Sequence, residues 1–577
     1  MIYSQQMQDM THITEERDRM APADDLIMGT PSTMGDDEQL TTTRLLRDAA
    51  RTYGDQEIRY RTDDGVWQTT DYARTWQRVL RMGSALSELG IGPGSKVGLL
   101  LWNGLHHFES YFSVPLTGAT MVQLNLRLAP KDLAYVIEHS GVSVIVIDHS
   151  LLDLARSLRQ HVSEEIRWIV ASHDDVEPEW REVAEPSSYE QLVERSEPLA
   201  RIPNMSERSA SGACYTTGTT GRPKGVYYSH RSVWLHAAAV ACNGGITMDD
   251  GVLMLTPMFH VQCWGLPYAA TMVGARVILP GRFDLGDMDA LIDSIIECGV
   301  TFSPAAPAIL MPMLRALKRR EDPPRLDRLR FISGGSEPPV SMVRQFHELT
   351  GAEVMHLYGA TETSPLVTIN RMKPSVAAKV SEDEAWEMRK YQGLVPAGVE
   401  VKLVDPTGEE LAWDGETVGE FRYRGPWITR AYADNPEANA SAFDEEGFWR
   451  SGDMGYLTEH GYLKITDRLK DVIKSGGEWI SSIDMENQLM AIDGVVEATV
   501  IGVPHPKWEE RPLALVVRSE GSGVTDESVR EHLSGTFASW QLPDEIRFVD
   551  EIARTSVGKI NKRKLRDEFS DAYAEQS

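Results

Sequence analysis

Between about residue 41 and residue 395, short, largely apolar runs alternate with stretches of helical spacing. No other feature of the chain narrows its fold so far. The runs are "KVGLLLW", "VSVIVID", "IRWIVAS", "ARVILP" and "LRFISGG", each bounded by Gly, Asp or Pro. A strand that is apolar at every position cannot turn one face to water, so both faces must be covered. The stretches between supply the cover: "TTTRLLRDAARTYG" has helical spacing, a hydroxyl start and a glycine stop. The expected class is α/β, with largely parallel sheets clothed by helices.

After about residue 395 the texture changes. "VEVKLVD", "GEFRYRG" and "GYLKITD" are short alternating strands between Gly-rich turns, as in a small β-barrel or antiparallel layer. The last hundred residues return to a compact α+β pattern, and the junction lies near "TDRLKDVIKSGG". With 577 residues the chain exceeds one ordinary core and suggests roughly two to four units. The division expected is a polar, Met- and Asp-rich N-terminal extension over 1–38, a large domain over 39–466 and a C-terminal domain over 467–577. No internal repeat or low-complexity tract is present.

Charge and cysteines exclude several classes. The formal net charge is −28 and no basic stretch is longer than "KINKRKLR", so there is no nucleic-acid footprint. Cys214, Cys242, Cys263 and Cys298 lie far apart, which supports neither a zinc site nor a disulfide framework and suits a cytoplasmic setting. No apolar run approaches the ~20 residues of a membrane span. The N-terminus has no basic stretch followed by an apolar one, so no secretory signal is expected.

Residues 216 to 225 read "TTGTTGRPKG". Glycines and small hydroxyl residues let backbone N–H groups close around an anion, and the lysine adds charge. The P-loop template fails, because Pro223 stands where a glycine is required and Gly225 where a Mg²⁺-binding hydroxyl belongs. Pro223 also keeps Arg222 out of helical geometry. The loop joins "GACY" to "VYYS", two runs of strand character, so it is a phosphate loop of another design inside a domain.

Four further stretches carry chemistry. "YGATETSP" puts Tyr358 and Glu362 after the strand-like "EVMHL", at the strand end where open α/β sheets place ligands. There a ring can stack on a purine and a carboxylate can take a Mg²⁺. "RSGDMGYL" holds Asp453 in a turn where it could accept from ribose hydroxyls, although an Asp-Gly turn alone is commonly just a turn. "DRLKDVIKSGGEWIS" sets a Gly-Gly hinge at the change of texture. "TSVGKINKRKLR" puts Lys559 after a glycine, ahead of a terminal helix.

Together these stretches resemble the adenylate-forming superfamily of acyl-CoA synthetases, peptide-synthetase adenylation domains and luciferases. Five motifs stand in the family's order and spacing, from "YTTGTTGRPKGV" to "GKINKRKLR", and the likeness spans about residues 40 to 570. "LTPMFHVQCWGLPY" most resembles bacterial medium- and long-chain fatty acyl-CoA synthetases and methylmercaptopropionate-activating relatives. The resemblance implies a mobile C-terminal lid, ATP, Mg²⁺ and CoA as reactants and cofactor, and a homodimer. It implies that Thr216, Thr217, Gly218, Thr219, Thr220, Gly221 and Lys224 hold the β and γ phosphates, with Thr216 and Glu362 beside the Mg²⁺. Gly335, Ser336 and Tyr358 would flank adenine, Gly359 and Thr361 would also bind nucleotide, and Asp453 would bind ribose. Lys470 would be the joint, with Arg468, Lys474 and Trp479 near the nucleotide, while Lys559 would bridge the carboxylate and the α-phosphate. Catalysis is expected of Lys559, Glu362, Lys474 and His260, and Trp264 would gate the acyl tunnel.

Peptide-synthetase domains carry an aspartate after the phenylalanine of this motif to meet the substrate ammonium. Here Phe259 is followed by His260. An ammonium buried without a partner is heavily penalised, so amino acids are disfavoured. The expected substrate is a medium- or long-chain fatty acid, with methylmercaptopropionate, another short acid or an aryl acid as alternatives. A non-CoA adenylating enzyme stays open.

Overall fold

The computed structural model describes residues 29–173, 178–183, 187–216, 222–284, 286–476, 478–554 and 560–573, with backbone only at Glu182, Glu478 and Trp479. The expected alternation builds two large sheets. The first has seven strands, in spatial order Ser187–Ser188, Arg167–Ala171, Val144–Asp148, Lys96–Leu100, Thr120–Gln123, Ala210–Thr216 and Lys224–Ser229. Neighbours are parallel except the last pair, an antiparallel hairpin in register Thr216 to Lys224. Val144 to Ile147 are each at most 1% exposed, as a strand covered on both faces requires.

The second sheet has thirteen strands. Six are parallel: Glu57–Arg61, Arg276–Leu279, Gly251–Leu253, Phe302–Pro304, Arg330–Ser333 and Glu353–Tyr358. The alternating strands expected after about residue 395 are present and antiparallel: Glu400–Val404, Gly419–Arg424, Trp449–Leu457 and Tyr462–Arg468. They continue this same sheet through Gly393–Leu394 and Thr368–Ile369, which pair onward to Glu353–Tyr358. One apolar core joins Val97, Leu99 and Met121 of the first sheet to Val277, Phe302 and Leu357 of the second. Helices Tyr72–Glu88, Leu105–Leu116, His230–Gly244 and Leu266–Val273 pack into it. Each fully buried Leu, Val or Phe there contributes ~1.5–3 kcal/mol.

The C-terminal chain forms a five-stranded sheet of Glu478–Ile480, Ile473–Ser475, Glu509–Arg518, Val495–His505 and Glu545–Phe548. It has a core of its own, including Ile473, Met485, Val500, Ala514 and Val516. Helix Ser482–Met490 meets the second sheet through buried polar groups. Lys464 Nζ donates to Glu337 Oε2 at 2.7 Å, Gln392 Nε2 donates to the same oxygen at 3.0 Å, and Asn487 Nδ2 donates to Oε1 at 2.8 Å. Beside them Asp467 accepts from the Ser482 and Arg468 backbone N–H groups, each at 2.7 Å.

Burial pushes the Asp467 carboxyl up to about 6 from 3.8. Between those values the folded form keeps a proton that the unfolded form has lost, so stability is greatest below the window and declines as pH rises through it. The decline amounts to on the order of 3 kcal/mol. Asp467→Asn is expected to flatten that slope, which urea unfolding followed from pH 4 to pH 7 would measure. An unchanged slope would assign the titration to another group.

Candidate active site

Strand Lys224–Ser229 runs straight into helix His230–Gly244, whose N-terminus is capped by the Ser229 side chain accepting from Ser232 N–H. That continuity fixes Lys224 at the mouth of the hairpin, where its backbone N–H lies 3.4 Å from Thr216 Oγ1. Thr217 to Gly221 lie outside the described residues. The Lys224 ammonium stands 4.7 Å from the centroid of the Tyr432 ring.

The second sheet brings the carboxylate. Strand Glu353–Tyr358 ends in a tight turn at Gly359, where a Cβ would sit 1.3 Å from Pro365 O, so no other residue fits. The following turn, Thr361–Thr363, presents Glu362. Its Oε1 accepts from the Tyr432 hydroxyl at 2.6 Å, and its backbone carbonyl accepts from Thr429 N–H at 2.7 Å. Tyr228 Oη donates to Thr361 O at 2.8 Å, tying the hairpin to this turn. Burial raises the Glu362 carboxyl above its ordinary value, and the Tyr432 hydrogen bond and Lys224 charge pull it back. No side chain among the described residues hydrogen-bonds Glu362 Oε2. A free carboxylate oxygen and the Thr216 hydroxyl are hard oxygen donors, which fit a Mg²⁺.

Tyr358, at the end of its strand, donates its hydroxyl to Asp453 Oδ2. Asp453 is buried in strand Trp449–Leu457, takes Arg468 Nε on Oδ1 at 3.1 Å and holds Ser451 Oγ with its own N–H at 3.0 Å. Tyr358, Asp453 and Arg468, three of the residues expected near the nucleotide, thus form one network. Gly335 and Ser336 lie exposed beyond strand Arg330–Ser333, two residues and one residue before Glu337 of the buried junction.

Trp264 is buried at 7% exposure, with Cη2 3.3 Å from where a Cβ on Gly334 would stand. It closes a left-handed turn in which Val261, Gln262, Cys263 and Trp264 have φ of 45°, 52°, 50° and 55°. Left-handed geometry costs roughly 1–2 kcal/mol per L-residue, and such strain gathers at functional sites. His260 precedes the turn and lines a small cavity with Gln123, Asn125, Cys214 and Phe259, at the carboxyl ends of two strands of the first sheet.

The remaining expected residues belong to the C-terminal chain. Lys470 follows Arg468 and is partly desolvated, which lowers its ammonium below the ordinary lysine value. Lys474 is exposed on strand Ile473–Ser475, and no hydrogen bond or ion pair joins it to Lys224, Glu362 or Asp453. Trp479 pairs by backbone with Lys474, its side chain outside the description, and Lys559 also lies outside the described residues. Sequence reasoning missed Tyr432, Trp449, Gly334 and Glu337. "RAYADNPEA" offers only a turn and a helix start around Tyr432.

Away from this cleft, His106, His173 and Glu190 bring ligand atoms within 4.8 Å of one another. Glu190 is already held by Arg78 through two hydrogen bonds and by His106 at 2.8 Å. The cluster is an ion-pair network tying three helices.

The profile of the family described as "AMP-binding enzyme" matches residues 46–433, and that of the "AMP-binding enzyme C-terminal domain" matches 484–559. A long-chain-fatty-acid–CoA ligase of Thermus thermophilus is 42% identical over 548 residues, covering 94% of this chain and 98% of that protein. A 3-methylmercaptopropionyl-CoA ligase of Ruegeria lacuscaerulensis is 38% identical, covering 93% and 98%. Among solved structures, an anthranilate CoA ligase in complex with anthranoyl-AMP superposes with a TM-score of 0.81 at 23% identity, covering 92% of this chain and 98% of the other. ATP-bound MatB of Rhodopseudomonas palustris gives 0.77 at 25% identity, covering 92% and 99%.

Proposed function

The chain belongs to the AMP-binding enzyme family, and on that premise we propose that it joins a medium- or long-chain fatty acid to coenzyme A through an acyl-adenylate. One observation carries the reading. Lys224 and Tyr358 at strand ends of the two sheets, Glu362 in the turn after one of them and Asp453 within strand Trp449–Leu457 are knit into two adjoining networks at one cleft.

In the first step a carboxylate oxygen bonds to the α-phosphorus of ATP and pyrophosphate leaves. An anion thereby approaches a polyanion, and each pair of unit charges ~4 Å apart costs ~4 kcal/mol at an effective dielectric of ~20. Lys224 and the 216–224 hairpin offset this at the β and γ phosphates, and Lys559 offsets it between the acid and the α-phosphate. A Mg²⁺ held by Thr216 and Glu362 would neutralise phosphate oxygens. Asp453 accepts from the ribose hydroxyls, and Tyr358 with Gly335 and Ser336 encloses adenine. In the second step the CoA thiol attacks the acyl carbon, AMP leaves with the former carboxylate oxygen, and the thiol proton passes to solvent. Residues 467–577 act as a lid that turns about Lys470 between the steps, and Trp264 gates the acyl path.

The fatty-acid assignment is supported by His260 in place of an acidic residue and by the apolar core that Trp264 shares with Met258, Val261 and Leu266. The Ruegeria relative favours methylmercaptopropionate as the second reading. No helix of the described residues is long and apolar enough to cross a membrane. The described cysteines are free, which suits a cytoplasmic setting, and a homodimer is the assembly we expect by family likeness. Thioester formation from ATP, CoA and straight-chain acids of graded length, with methylmercaptopropionate and benzoate alongside, tests the assignment. An optimum among medium or long chains is expected, and a preference for the short or aryl acids would replace it.

A further inference from the structure

Tyr432 lies outside the five motifs yet touches both charged groups of the cleft. Trp449 Nε1 stands 3.3 Å from its hydroxyl. An indole N–H can only donate, so the tyrosine's own proton is directed to Glu362 Oε1 at 2.6 Å. The bond therefore has one direction, and it occupies one carboxylate oxygen while leaving Oε2 without a side-chain partner among the described residues. On the ring's face sits the Lys224 ammonium, 4.7 Å from the centroid, where the ring quadrupole attracts a cation. Lys224 and Glu362, opposite charges in one cleft, form no ion pair with each other. Tyr432 takes both.

The ring is placed independently of any ligand. Tyr432 N–H donates to Asn439 Oδ1 at 2.7 Å, Asn439 Nδ2 donates back to Tyr432 O at 2.9 Å, and the next residue, Ala433, donates to Gly225 O at 2.9 Å. Those bonds come from helix Pro436–Ala442 on one side and the lysine's own strand on the other.

We propose that Tyr432 is a positioning residue for nucleotide and metal. It parks Lys224 on its ring and turns Glu362 so that Oε2 faces a divalent cation, which keeps the two charges from neutralising each other before substrate arrives. The proposal rests on the assignment of Lys224 and Glu362 made above, and its test reads binding instead of turnover. The full chain would be titrated with Mn²⁺ in the presence of α,β-methylene-ATP, with free Mn²⁺ followed by its electron paramagnetic resonance. Tyr432→Phe keeps the ring and is expected to weaken Mn²⁺ binding roughly tenfold, as loss of one hydrogen bond to a charged group would. Tyr432→Leu also removes the platform under Lys224 and is expected to weaken the nucleotide analogue further. In a Glu362→Gln background, Tyr432→Phe is expected to add less than about twofold, because the two residues act as one unit.

Unchanged Mn²⁺ affinity in Tyr432→Phe would overturn the proposal, and so would an equal loss in the Glu362→Gln background. If Tyr432→Leu melts early, the phenylalanine variant and the double mutant still decide. A chain that binds Mn²⁺ and analogue through Tyr432 but makes no thioester would refute the ligase reading and leave this inference standing.

Discussion

Lys559→Ala is expected to slow acyl-adenylate formation by about a hundredfold or more while sparing thioester formation from supplied acyl-AMP. The figure follows from removing one preorganised cation at the point where charge concentrates, typically ~3 kcal/mol or more. The split follows from the proposed lid: a residue on the C-terminal chain that serves one orientation should not matter once the adenylate is made. Pyrophosphate release from ATP plus acid reads the first half-reaction, and AMP release from synthetic acyl-AMP plus CoA reads the second. Equal loss in both would remove Lys559 from its assigned role and point to a general effect on the lid.

Glu337→Ala is expected to destabilise the fold by ~3–5 kcal/mol, the usual consequence of leaving a buried charge without its partner. Lys464 is 2% exposed and would retain only Asp484 at 3.6 Å, while Gln392 and Asn487 would each lose an acceptor. Urea unfolding at neutral pH measures the change. A Glu337→Leu/Lys464→Met double variant should recover much of the loss, since well-packed apolar replacements of buried ion pairs are often neutral or better. A neutral Glu337→Ala would mean that the carboxylate does not organise the junction between the second sheet and helix Ser482–Met490. Because Asn487 belongs to that helix and Glu337 follows Gly335 and Ser336, the same contact links the C-terminal chain to the residues proposed to flank adenine.

The layered fold was legible because local pattern and burial agree. "VSVIVID" became strand Val144–Asp148 and "IRWIVAS" became Arg167–Ala171, each buried along its apolar stretch, Val144–Ile147 and Trp168–Ala171. The placement of the candidate site residues was legible where one short stretch carries its own chemistry: Lys224 at a hairpin mouth, Glu362 and Tyr358 around a strand end, Asp453 beside Arg468. Other features depend on approaches between distant parts of the chain. Tyr432 lies 70 residues from Glu362 in sequence, and the Glu337–Lys464 pair spans 127. Continuity of thirteen strands through two-residue linkers such as Thr368–Ile369 leaves no periodic trace. The left-handed turn at Val261–Trp264 contains no glycine to announce it, because its neighbours impose the backbone and its own residues do not.

The central claim is that the acid itself attacks the α-phosphorus, and an oxygen label reports it directly. The chain would be given ATP, Mg²⁺, CoA and decanoate carrying ¹⁸O in both carboxylate oxygens, with AMP and pyrophosphate collected for mass spectrometry. The account predicts one ¹⁸O in each AMP and none in pyrophosphate, since the bridging oxygen of the acyl-adenylate leaves with AMP. Label absent from AMP, or ¹⁸O found in pyrophosphate or orthophosphate, would contradict it.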